Sequence, residues 1–165
     1  MPPCIVIILP EEFRDAWSRH DYVTIAAAIE TGSGDPGTSR ALVVFNVSPD
    51  SISGTVSYHV DMPWRPDRPF PTLRITRLTT GATASHRVGD LCIEPPTGDG
   101  DYGRLTFELY FECAEIAADG WDTYCAEYRQ ESRSAEPELR PQVDPSRYRI
   151  LETLPHAGPL PAAYP

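Results

Sequence analysis

The chain contains no lysine. All its basic residues are arginine, 14 in number against 24 Asp and Glu, and the formal charge over 165 residues is −10. An acidic surface repels phosphate backbones and anionic headgroups, so neither a nucleic acid nor a membrane is an expected partner. Without lysine, no Schiff base can form with pyridoxal phosphate or a carbonyl substrate. Arginine in place of lysine is what GC-rich coding produces, which suggests a high-GC, actinobacterial source or one of its phages.

Catalytic signatures are missing as well. The sequence holds no Gly-x-Ser-x-Gly, no Gly-x-x-x-x-Gly-Lys, no His-Glu-x-x-His and no Gly-x-Gly-x-x-Gly opening a helix. No two His stand one residue apart on a strand, as cupin-type metal binding would require. Cys4, Cys92, Cys113 and Cys125 contain no Cys-x-x-Cys and fit no zinc spacing. No metal and no cofactor are expected. The start, Met1-Pro2-Pro3-Cys4 with the short apolar run Ile5 to Leu9, resembles neither a signal peptide nor a membrane span. Cytoplasmic residence with reduced thiols is the expectation.

Proline, by contrast, is abundant, with 18 residues. Proline has no backbone donor, so Pro63 to Pro71 must be a loop and the proline-rich end must be irregular. Between these breaks, apolar runs and alternations predict strands at 5–9, 22–31, 40–48, 55–62, 72–79, 86–94, 105–115 and 121–130. Pro10 followed by Glu11 and Glu12 opens a short helix to about residue 18, on which Phe13 and Trp17 share a face. The run Ala26-Ala27-Ala28 is equally good helix sequence. The fold class is therefore all-β with a minor helix near residues 10–18. It is an antiparallel β-barrel or β-sandwich of about seven or eight strands. Residues 1–133 form the domain, and 134–165, with seven prolines, form an extended C-terminal arm.

The clearest element runs from Leu105 to Glu115. Leu105, Phe107, Leu109, Phe111 and Cys113 alternate with Thr106, Glu108, Tyr110, Glu112 and Ala114. Asp119-Gly120 is a strong hairpin signal, since glycine accepts the positive φ of a type I′ turn. A two-residue loop there would pair Glu112 with Glu127, Tyr110 with Arg129 and Glu108 with Glu131. Opposed carboxylates repel, and if desolvated one of them would keep its proton as a general acid must. Two readings stay open: a solvated face, or a polar pocket lining a barrel. In the pocket reading Glu108, Glu112 and Glu127 are acid/base groups, and Tyr110 and Arg129 orient a substrate oxygen. The same register sets Cys113 and Cys125 on opposite faces, so free thiols are expected.

His59 and Asp61 share a strand face, an arrangement that can orient an imidazole for proton transfer. His86 with Asp90 is a weaker pair. Trp64, Arg65, Arg68 and Phe70 sit at or in the proline-stiffened loop, where a lid or a partner contact would lie. Two functions follow from this pattern. One is a cofactor-independent enzyme of the cyclase or isomerase kind from specialised metabolism, holding a hydrophobic small-molecule ligand. The other is a non-catalytic binding module, such as a ligand carrier, an immunity protein or an accessory subunit, docked on a basic protein partner. A phage structural protein is a third reading, and a homo-dimer is compatible with all three.

Overall fold

Residues that alternate and residues that do not build two different sheets. The chain is described by a computed structural model covering residues 11–29, 31, 39–65, 72–98, 100, 102–129 and 137–153. Its elements are helices α1 (Glu11–Ser18) and α2 (Tyr22–Ala28), then strands β1 (Ser39–Asn46), β2 (Ile52–Trp64), β3 (Thr72–Arg77) and β4 (Thr83–Ala84). Strands β5 (His86–Glu94), β6 (Gly103–Ile116), β7 (Trp121–Arg129) and β8 (Tyr148–Thr153) complete the order. One sheet has five strands in the order β4-β3-β7-β1-β8, the other three in the order β2-β6-β5. Every ladder is antiparallel. Neither sheet closes on itself, so of barrel and sandwich the sandwich is the one that forms.

The three-stranded sheet reads as alternation. Leu105, Phe107, Leu109, Phe111 and Cys113 of β6 and Val56 and Val60 of β2 are buried against the other sheet. Their neighbours in sequence point the other way. Each large apolar side chain removed from water contributes about 1.5–3 kcal/mol, and Phe111, Leu109, Ile75 and Val44 are fully buried between the sheets. That space is packed with side chains.

The five-stranded sheet is covered twice. Leu42 and Val44 of β1 and Tyr124 and Ala126 of β7 face the other sheet, while Val43, Phe45 and Trp121 face the helices. Trp17 stands 5.7 Å from Trp121 and Tyr22 4.9 Å from Phe45, ring centre to ring centre. These aromatic pairs fasten the helical layer to the sheet.

Of residues 22–31, expected as a strand, Tyr22–Ala28 form α2 instead. Ile25, Ala26 and Ile29 are buried and Val23, Thr24 and Ala27 exposed, which is the helical period. Asp21 caps the helix by accepting from the Thr24 amide at 3.3 Å and the Thr24 hydroxyl at 2.7 Å. Both bonds favour the carboxylate, and its pKa is lowered. The β-branched Val23 and Thr24 suggested a strand, but the local cap and the apolar stripe outweigh propensity. The strand expected at 5–9 lies outside the described residues.

The hairpin at Asp119-Gly120 does not form. β6 pairs with β2 and β5, and β7 pairs with β1 and β3, so the chain crosses from one sheet to the other between Ile116 and Trp121. The positive φ falls on Asp119 (58°) rather than on Gly120. The crossing is held from β1. The Asn46 amide donates to the Ile116 carbonyl at 2.9 Å and the Asp50 carbonyl at 2.8 Å, and the Asn46 N–H donates to the Gly120 carbonyl at 2.9 Å. Local turn chemistry loses here because β7, apolar on both faces, belongs in the doubly covered sheet.

The proline-rich end contributes structure of its own. Residues 148–153 form β8, paired with β1. Upstream, the 137–143 segment runs as a strap along β2, where the Thr55 amide donates to the Pro141 carbonyl at 3.1 Å and the Val143 amide to the Thr55 carbonyl at 2.9 Å. A Cβ at Gly54 (φ 132°) would stand 2.7 Å from the Pro141 carbonyl oxygen, so the strap's close approach requires glycine. No helix among the described residues is long and apolar enough to cross a membrane.

Candidate functional site

Because β6 is the middle strand of a sheet that, among the described residues, is covered on one side only, its polar residues face outward between those of β2 and β5. The register sets His59 opposite Glu108 and Asp61 opposite Thr106, with Arg87 opposite Tyr110 on the other flank. The outer face is a row of paired charges. His59 Nδ1 lies 2.7 Å from Glu108 Oε1, with the imidazole 61% exposed. The Arg104 Nε donates to both Asp61 oxygens at 2.9 Å and its Nη2 completes the fork. That fork holds the Asp61 carboxyl below its usual range and raises Arg104. The Arg87 guanidinium sits 4.1 Å over the Tyr110 ring. At the far end Arg140, from the strap, donates its amide to Glu112 at 2.9 Å and its Nη2 to the Cys113 carbonyl at 2.7 Å.

Of the residues expected to act together, Glu108, Tyr110, Glu112, His59 and Asp61 do share this face. Glu127 does not. It lies on β7 in the other sheet, opposite Ser39 and Arg74, and Arg129 ends that strand opposite Thr72. The opposed pair Glu112–Glu127 is therefore overturned with the hairpin register. Glu112 instead faces Thr55 and Arg140. The polar face points away from the packed interior rather than into a lumen. Trp64 ends β2 opposite Gly103, and Arg65 sits 5.7 Å from the Tyr102 ring. Arg68 and Phe70 lie outside the described residues. His86 faces Phe111 rather than Asp90, and its burial lowers the imidazole pKa.

The thiols of Cys92, Cys113 and Cys125 are free. Cys113 and Cys125 lie in different sheets, which replaces the hairpin argument for their separation. Desolvation pushes Cys113 up to about 11 and also raises Cys125, making both poor nucleophiles.

Sequence reasoning missed Arg104, Arg87 and Arg140, the cations interleaved with the carboxylates and the Tyr110 ring of this face. Only a known register could have found them. It also missed Asp122, which is 2% exposed. The Arg77 Nε donates to this carboxylate at 2.6 Å and the Thr123 amide at 2.9 Å. The nearby Tyr124 hydroxyl accepts from the Ala114 amide of β6 at 2.9 Å, so the group ties the two sheets together. Burial raises the Tyr124 pKa, and Asp122 adds to the effect. With every strong partner internal, this is a structural lock.

No known protein family and no curated protein matches the sequence. Among solved structures the chain is similar to a glycosyl hydrolase family 38 protein from Enterococcus faecalis. The TM-score is 0.52 at 14% identity, over 73% of this chain and 16% of that one. An alpha-mannosidase from Enterococcus faecalis V583 aligns at a TM-score of 0.49 and 15% identity, over 73% and 16% of the two chains. The chain thus spans about a sixth of the length of these proteins, and the likeness to the first of them is one of fold.

Proposed function

We propose that the chain is a non-catalytic interaction module, presenting the outer face of β2, β6 and β5 to a basic protein partner. The observation that carries this reading is the direction of the polar residues. Glu108, Tyr110 and Glu112 lie half-buried on the outer face of a sheet whose other face packs against apolar side chains. The charge of −10 supplies long-range attraction for a cationic partner, which raises association rates more than final affinity. In-cell cross-linking would identify the partner, and calorimetry with purified components would then measure it. Glu108→Arg is expected to weaken binding at least tenfold, while Glu11→Arg on the helical side leaves it within about twofold. Equal affinities for wild type and Glu108→Arg would refute the module's assigned surface.

One observation favours a second reading, a cofactor-independent acid–base enzyme of the cyclase or isomerase kind. Glu108 holds one nitrogen of the exposed His59 imidazole, leaving that ring oriented for proton exchange with a bound hydrophobic small molecule. General acid–base groups contribute about 10²–10⁴-fold. His59→Asn should therefore abolish most of any turnover detected with the wild-type chain, and an unchanged rate would remove this reading.

A further inference from the structure

Four strands form sheet edges, and they are not equally protected. The β2 edge is bonded at Thr55 by the strap and at Ser57 by the Tyr148 hydroxyl, β4 is two residues long, and β8 is six residues long. β5 is nine residues long, carries the exposed Leu91 and Ile93, and has no strand along its outer side among the described residues. A long apolar edge is a template for pairing with another strand.

We infer that this edge pairs antiparallel with the same edge of a second copy of this chain, related by a two-fold axis beside Asp90 and Leu91. The argument is complementarity of charge and of face. β5 carries one extra residue between Gly89 and Cys92, with Asp90 at a φ of 51°. Arg87 and Gly89 before the bulge, and Cys92 and Glu94 after it, all pair with outward-facing residues of β6. Val88 and Ile93 pair with the inward-facing Leu109 and Leu105. If Arg87 is set against Glu94 of the second copy, Val88 falls against Ile93 and Gly89 against Cys92. Outward residues then meet outward ones, inward residues meet inward ones, and the two bulges meet at the axis. Every cation in the register faces an anion, twice over by symmetry. A strand without the bulge would set outward residues against inward ones at every pair of this register. The result is one six-stranded sheet whose two polar faces lie side by side.

The test uses the full chain. Sedimentation equilibrium should show a mass twice the 18.3 kDa of the monomer at tens of micromolar. Arg87→Glu and Glu94→Arg alone should each weaken the dimer about 30-fold, since each turns two attractive cross-strand pairs into repulsive ones. The double exchange should restore it. Hydrogen exchange on the wild type supplies a check independent of any variant, because amides of residues 86–94 should gain protection as concentration rises. A monomer at 100-fold higher concentration overturns the proposal. So does a dimer indifferent to both single reversals, or one whose protection appears elsewhere. None of these outcomes bears on whether Glu108 contacts a different protein.

Discussion

The two sheets solve the same burial problem with opposite sequence patterns. β6 is buried on one face, so alternate residues suffice and the others are released to make ion pairs in water. β1 and β7 are buried on both faces, so apolar residues dominate them, and the one buried charge among the described residues, Asp122, is paired inside with Arg77. The contrast separates stability from surface chemistry. Changes in the five-stranded sheet should be felt by the fold, and changes on the outer face of the three-stranded sheet should not.

Thiol accessibility gives the widest expected contrast. Cys92 lies exposed on the open edge, whereas Cys113 is buried and its pKa, near 11, leaves only about one part in a thousand as thiolate at pH 8. Native alkylation followed by mass spectrometry should modify Cys92 at least 100-fold faster than Cys113 or Cys125. Comparable rates would mean that the interior opens readily.

Truncation of Trp121 to alanine should cost about 3–5 kcal/mol in urea unfolding, because it empties the contact between helices and sheet. A cost below about 1 kcal/mol would show that the helical layer is not packed as described. Asn46→Ala should cost about 2 kcal/mol, leaving the buried Ile116 carbonyl without its donor at the crossing between sheets.

A pH titration should isolate His86. Burial lowers its folded pKa below the ordinary 6.5, so around that pH the unfolded chain binds more protons than the native one. Stability is then full above pH 6.5 and declines as pH falls toward the folded value. His86→Gln should flatten the urea midpoint between pH 7 and 5, and an unchanged slope would locate the dependence elsewhere. Smallest of all, His59→Ala should change stability by less than about 0.5 kcal/mol. A larger loss would mean that the outer face supports the fold after all.

How much of this was legible in the sequence follows the same division. Alternation in β6 and in Val56, Val60 and Met62 of β2 separates the two faces of each strand without any partner, so Glu108, Tyr110 and Glu112 were readable as one face, and His59 and Asp61 as another, but not that the two adjoin or that they meet solvent. Register was not. Asp119-Gly120 is hairpin chemistry over four residues, and it is overridden by β1, whose Asn46 reaches across 70 positions to Ile116. A non-local bond of that kind leaves no trace in a local window. The arginines opposite the carboxylates were hidden for the same reason, Arg140 lying 28 residues from Glu112. Strand β8 within the proline-rich arm went unread because it is short and shares its surroundings with prolines. α2 was misread because Val23 and Thr24 sit on its exposed side.

The strap along β2 also limits assembly. With Pro141 and Val143 occupying the backbone groups of Thr55, another strand cannot pair along this stretch of β2. A particle with a single adhesive side pairs and then stops, whereas one with two would add copies without end and grow into a fibre. A few bonds at one glycine-lined border therefore work against fibre-like growth from this side of the sheet.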